Sequence, residues 1–200
     1  MSERVIYTFW TGDNPLTENR IVSLLSLEKV AGVPVLLVKK QYIQTYILPN
    51  EPFHPAYPYL SETQKSDYLR CYFMHFYGGG YSDIKQTTDT WTKSFDTLYK
   101  SDKWICGYKW KDRIGSGAFI CKPNTPLTQE WYNAVHRVLD KHLDALRAHP
   151  ATVLQDCSEK KTGYPLQWEE LMDRIFGPIT IKYKDKVLDT LPLLVFKNYR

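Results

Sequence analysis

The stretch that most constrains the fold runs through Ser66-Asp67-Tyr68-Leu69-Arg70 and on to Phe76-Tyr77-Gly78-Gly79-Gly80-Tyr81-Ser82-Asp83-Ile84-Lys85. Just before it, Ser61-Glu62-Thr63-Gln64 has the pattern of a capping box, in which Ser61 caps the first turn and Gln64 reaches back. A helix is expected from there to residue 77, with Tyr68, Leu69, Tyr72, Phe73 and Phe76 on its inner side. Gly78 ends it, and three glycines in a row permit a sharp reversal. Residues 81–85 then read as a strand that closes on an acidic residue. Ser66 and Arg70 share a helix face, and Asp67 reaches Arg70 at i+3. Asp83 and Lys85, two apart on an extended strand, leave the same side of it roughly 7 Å apart. Ligands of open α/β sheets bind beyond the carboxyl ends of strands, so this constellation is a candidate site.

The opening of the chain supports an α/β class. Val5-Ile6-Tyr7-Thr8-Phe9-Trp10 is a β-branched and aromatic run closed by a Gly-Asp-Asn-Pro turn. Thr17 can cap a helix over residues 17–30, with apolar positions at 21, 24, 25, 27 and 30. Residues 33–38 form a continuous apolar run of the buried parallel-strand kind. Together these are a βαβ unit. A short helix is expected over 41–46 and a surface loop over the proline-rich residues 49–60. Two strands are expected at 103–108 and 118–121, separated by a Gly115-Ser116-Gly117 turn. A long helix follows over 128–147 and a last one over 168–176. Late strands are expected at 179–183, 187–188 and 193–196. The pattern implies one mixed sheet flanked by helices.

Composition narrows the function classes. A length of 200 residues fits one domain, although the end after a strand-like run leaves room for a domain cut from a longer chain. The net charge of +4 is spread in pairs such as Lys39-Lys40, without the dense basic cluster that nucleic-acid binding needs. Cysteines 71, 106, 121 and 157 lack metal-ligand spacing and read as buried free thiols. No apolar leader opens the chain and no run of 18 apolar residues occurs. A cytoplasmic location is the resulting expectation. Dinucleotide, P-loop, H-E-x-x-H and G-x-S-x-G motifs are all missing. The 15 Tyr and 6 Trp are the side chains that stack on sugars and bases.

The S-D-x-x-R helix, the glycine turn after it and the acidic strand end resemble the donor-sugar site of nucleotide-sugar glycosyltransferases of GT-A type. The nearest resemblance is to the capsular-polysaccharide-synthesis family and related virus-encoded transferases, tightly over 61–92 and loosely elsewhere. It implies a GT-A-like fold with a nucleotide-binding βαβ start. The implied reaction moves a sugar from a nucleoside-diphosphate donor, commonly UDP, to the hydroxyl of a surface or capsid glycan. Such transferases carry D-x-D at the strand end, with Mn²⁺ or Mg²⁺ bridging the diphosphate.

This chain has D-I-K. The resemblance therefore implies Asp83 as metal ligand and Lys85 as a diphosphate or sugar contact, since lysine has no acceptor for a cation. A simple strand-end ion pair is the competing reading of the same two residues. Ser66, Asp67 and Arg70 are implied at the ribose and diphosphate. Trp10, Thr11 and Val38, at the ends of the first two strands, are implied at the base. Ser116 and Gly117 would let a sugar hydroxyl approach the backbone. Trp168 would stack on a sugar and Glu169 accept from a hydroxyl; Glu169 and Asp156 are candidates for an acceptor-side base. Because the second motif carboxylate is missing, an inactive nucleotide-sugar-binding or scaffolding module is the alternative.

Overall fold

The computed structural model describes residues 4–152 and 163–197. Among these, six strands form one sheet in the order β2-β1-β3-β5-β4-β6. They are β1 (Ile6–Trp10), β2 (Val35–Lys39), β3 (Gly79–Ser82), β4 (Ile105–Trp110), β5 (Arg113–Cys121) and β6 (Val187–Leu188). β1 pairs in parallel with both β2 and β3, and β4 with β6, while β5 runs antiparallel to both its neighbours. All strands but β5 therefore point the same way. Their carboxyl ends and the start of β5 share one edge of the sheet, and this edge is where the site lies.

Helices cover both faces. α1 (Glu18–Val30) and α3 (Thr92–Lys100) lie over one face, and α2 (Glu62–Phe76), α4 (Pro126–Ala148) and α5 (Asp173–Lys182) over the other. Strand alternation divides the core accordingly. Ile6, Cys106 and Ile120 join Leu27, Trp91, Phe95 and Leu98 on the first face. Tyr7, Phe9, Ile105 and Phe119 join Phe73, Trp131 and Phe176 on the second. A period of two along a strand buried on both sides produces this division. The expected mixed sheet flanked by helices, with a βαβ start, is the fold observed.

The capping and punctuation residues act as their chemistry predicts. Thr17 accepts from Arg20 N, and Ser61 accepts from Gln64 N. Gln64 does not close the capping box directly. Tyr164 stands between, its hydroxyl accepting from Ser61 N at 3.1 Å and donating to Gln64 Oε1. Gly78, at φ +69°, turns the chain out of α2, and a Cβ there would meet Pro123 Cδ at 2.6 Å. Cys71, Cys106 and Cys121 are buried free thiols; Cys157 lies outside the described residues.

Several expectations need correction. β2 is an edge strand in which only Val38 is buried, because no further strand covers its outer side. Ile21 and Leu25 of α1 are exposed for the same lack of a neighbour, while Leu27 is buried. The short helix before residue 47 is a 3₁₀ turn, Lys40–Tyr46. The 49–60 loop is partly internal, with His54, Ala56 and Leu60 buried and Phe53 packed on Tyr68 and Tyr72. α3 was not foreseen.

The last helix begins at Asp173, after turns at 168–172, and runs through residues 179–182. Its buried Ile175, Phe176, Ile179 and Thr180 recur at helical spacing, which outweighs the β-branched composition of Ile179-Thr180-Ile181. Residues 193–196 form no strand; they lie against the 86–88 segment through Thr88 N to Leu193 O at 3.0 Å and Val195 N to Gln86 O at 2.8 Å.

Candidate active site

The ends of β1, β3 and β4, the start of β5, the first half of α2 and the start of α5 enclose a cleft of about 520 Å³. Three local features build its polar centre. The first is the turn after β3. Asp83 N donates to Gly117 O at 2.7 Å, and Lys85 N donates back to Asp83 O at 2.7 Å. The strand thus ends at Ser82, three residues earlier than extended geometry through Lys85 requires. Arg20 of α1 fixes the turn by donating to Ile84 O at 3.0 Å. Folding back brings Lys85 Nζ to 2.6 Å from Asp83 Oδ2, so the expected 7 Å separation is replaced by a direct ion pair.

The second feature is the inward face of α2. Arg70 Nη2 lies 3.0 Å from Asp67 Oδ1 and 3.6 Å from Asp83 Oδ1. Its Nη1 donates to Ser116 O at 3.0 Å, and the guanidinium stacks 4.3 Å over the Tyr81 ring. Tyr81 in turn donates to Asp83 Oδ1 at 2.7 Å and is hydrogen-bonded to Ser66. The i, i+3 pair read from the sequence is therefore no solvated surface contact: the Asp67 and Arg70 side chains are 5% and 9% exposed.

The third feature replaces the expected glycine turn. Gly107 of β4 faces Phe119, whereas Lys109 faces Ile114. The surplus residues fall in β5, so Gly115-Ser116-Gly117 is a bulge within a strand, not a turn between two. Bulges re-aim the backbone, and here the carbonyls of Ser116 and Gly117 take Arg70 and the Asp83 amide. The reversal between β4 and β5 comes earlier, at Lys111-Asp112, where Lys111 has φ 56°. The Tyr108 ring crosses Gly115 so closely that a Cβ would stand 2.0 Å from it.

Electrostatics follow from this packing. For Asp83, burial acts to raise the carboxyl pKa, but Lys85, Arg70 and the hydroxyl of Tyr81 outweigh it and hold it below the ordinary range. Asp67 is pushed up to about 7, chiefly by burial; Arg70 opposes the rise, and the carboxylates of Asp83 and Asp173 add to it. Burial disfavours the charged form of Arg70, yet Tyr81, Asp67, Asp83 and Asp173 together raise its pKa, and it remains a cation.

Ser66, Asp67, Arg70, Asp83 and Lys85 all line the cleft, as do Trp10, Thr11, Ser116, Gly117 and Trp168. Trp10 is held by its indole N–H on Asn14 O at 2.7 Å, and Thr11 spends its hydroxyl on Glu62 O at 3.0 Å. Two expected residues are not among those lining the cleft. Val38 is buried in the core opposite Phe9, because the end of β2 is covered from the cleft by β1. The Glu169 carboxylate is 60% exposed and stands 4.0 Å from Arg174; in the turns at 168–172 it is Trp168 that takes the cleft side. Asp156 lies outside the described residues.

The sequence reading missed Arg20, Tyr108, Trp110, Arg113, Asp173 and Phe196, all of which line the cleft. Lys111-Asp112 carries none of the glycine or asparagine pairs that mark a two-residue hairpin, so the sequence held no clear signal for Trp110 and Arg113. Arg113 and Asp173 form no ion pair or side-chain hydrogen bond among the described residues. Both are half-buried, so the cleft presents a cation and a carboxylate that are in no ion pair among the described residues.

The implied Mn²⁺ or Mg²⁺ fits these residues poorly. Mg²⁺ is held by one or two protein carboxylates together with substrate phosphates and water, so it needs at least one carboxylate oxygen open to it. The strand end supplies one carboxylate, both of whose oxygens already meet protein donors. Among the described residues no three His, Cys, Asp or Glu side chains stand together.

No protein-family model matches the sequence, and no curated protein matches it either. No helix among the described residues is long and apolar enough to cross a membrane. Among solved structures, the chain superposes on the PaToxG glycosyltransferase with a TM-score of 0.58 at 13% identity, over 90% of this chain and 68% of that one. At that identity the likeness is one of fold: this chain has the fold of a solved glycosyltransferase, with its cleft at the carboxyl ends of the sheet.

Proposed function

We propose that the protein is a glycosyltransferase of GT-A type that moves a hexosyl unit from a nucleoside-diphosphate sugar, UDP in the first instance, to a hydroxyl of a glycan acceptor. The observation that carries this reading is the convergence of Asp67, Arg70, Asp83 and Lys85 at the end of β3, in the cleft of a fold shared with a glycosyltransferase. The diphosphate is the leaving group. As the bond between the sugar C1 and the diphosphate oxygen breaks, the electron pair stays on that oxygen; the acceptor hydroxyl oxygen forms the new bond to C1 and its proton passes to the released diphosphate or to water. Fixed cations nearby stabilise the developing charge without reorganising. Arg70 is held in place by Asp67, Ser116 O and Tyr81, and Lys85 by Asp83. Trp10 and Trp168, at the cleft wall, offer faces for base and sugar.

The test is incubation with a panel of nucleotide sugars, with and without glycan acceptors, followed by measurement of free nucleoside diphosphate. Release from at least one donor is expected, faster with acceptor. Arg70→Lys, which keeps the charge but loses the planar fork, should slow release at least tenfold. Absence of release from every donor, together with absence of nucleotide binding, would remove the reading. Binding without release would favour the inactive donor-binding module.

A further inference from the structure

Resting on the donor-binding reading above, we propose that Lys85 stands where a divalent cation would otherwise sit, and that this cleft binds nucleoside diphosphates without a metal. The geometry at Asp83 carries the inference. Oδ2 accepts from Lys85 Nζ at 2.6 Å, while Oδ1 accepts from Tyr81 at 2.7 Å and lies 3.6 Å from Arg70. Both carboxylate oxygens are turned to protein donors. A metal ion at Asp83 would lie against an ammonium and a guanidinium, and would have to displace the one from its shortest contact. Lysine offers no lone pair in return.

Lys85 is also built in rather than draped over the site. It is 7% exposed, its backbone amide is tied to Asp83 O, and Nζ lies 4.8 Å over the Phe196 ring. An ammonium carries three donors, so it can keep Asp83 and take a phosphate oxygen together. Asp83 then serves to position the lysine rather than to ligate. Arg113, without an ion pair or side-chain hydrogen bond among the described residues, adds a further cation to the cleft wall. With Arg70 these cations line one cleft and offer the diphosphate oxygens the positive charge that a metal otherwise supplies.

The experiment is isothermal titration of the full chain with UDP, GDP, ADP, CDP and TDP, first in EDTA and then with Mn²⁺ or Mg²⁺. At least one diphosphate should bind in EDTA, with an affinity that either metal changes by less than about threefold. Lys85→Arg should keep this binding. Lys85→Met leaves a carboxylate unpaired and is at risk of misfolding, so Asp83→Asn/Lys85→Met is the decisive variant. It removes the ion pair as a unit and should fold, as thermal melting will check. Its affinity in EDTA should fall at least tenfold, while Asp83→Asn alone loses less. Binding that requires Mn²⁺ or Mg²⁺, or parental affinity in the double variant, would overturn the inference and leave the donor reading standing. Failure of every diphosphate to bind in either condition would overturn both.

Discussion

At the scale of single residues, Asp67 is the most consequential group. It is buried against Arg70 and yet is pushed up to about 7, so near neutrality it exchanges between a carboxylate that neutralises Arg70 and an acid that does not. The effect on stability has a definite sign. The unfolded chain releases this proton near the ordinary carboxylate range of about 4, whereas the folded chain holds it until about 7. Between those limits the folded state binds more protons, so stability falls as pH rises through the window and is level above it. Asp83 works the opposite way and lower down: its depressed pKa contributes stability above the ordinary carboxylate range that is lost as pH falls below it. Urea unfolding of the parent and of Asp67→Asn from pH 4 to 8 should show the parent losing a few kcal/mol relative to the variant across the window. Parallel curves would mean that Asp67 is ionised throughout.

At the scale of elements, the β5 bulge sets the site. It turns two consecutive carbonyls toward Arg70 and the Asp83 amide, and it depends on Tyr108 crossing Gly115 without a side chain between them. Gly115→Ala would place a Cβ 2.0 Å from the Tyr108 ring. The ring must move, and with it the cleft wall it forms with Trp110. Overpacking of this kind costs about 1–3 kcal/mol, measurable by thermal or urea denaturation. The variant should also weaken nucleotide binding, because Ser116 O shifts from Arg70. A Gly115→Ala protein with parental stability and affinity would show that the bulge tolerates a side chain and that its shape does not govern the site. The α2–β3 junction is set more locally: a capped helix, a glycine at positive φ and a four-residue strand.

At the scale of the molecule, the cleft joins segments from both ends of the described chain, from Trp10 at the end of β1 to Phe196. A ligand seated there ties them together, and at a hundredfold excess over Kd it should raise unfolding stability by about 2.7 kcal/mol. The tryptophans report the same event. Trp10, Trp110 and Trp168 line the cleft, whereas Trp91 and Trp131 are fully buried. Saturating nucleoside diphosphate should therefore lower acrylamide quenching of the accessible tryptophan fluorescence, and Trp168→Phe should shrink the ligand-sensitive part. Quenching unchanged at saturation would place the ligand elsewhere.

What the sequence by itself determined was local. The caps at Thr17 and Ser61, the glycine exit from α2, the Asp67–Arg70 spacing and the βαβ order all follow from contacts within a few residues or from a hydrophobic period; Tyr164 standing in the Ser61–Gln64 box and the exposure of β2 do not. The residues nearest the site centre were legible for the same reason, since one helix and the turn after one strand supply most of them. Only the tertiary structure decided the rest. Whether Gly115-Ser116-Gly117 turns or bulges depends on the register between β4 and β5, set by pairings spread over both strands. That the helical spacing of residues 175–180 wins over their β-branched composition was decided by Phe176, which packs on Phe119 and Trp131. That Lys85 folds back onto Asp83 follows from Gly117 and Arg20 gripping the turn, and Arg113, Asp173 and Phe196 reach the cleft because the parallel strands end on one edge. These are contacts between residues distant in the chain, and no periodicity within a window records them.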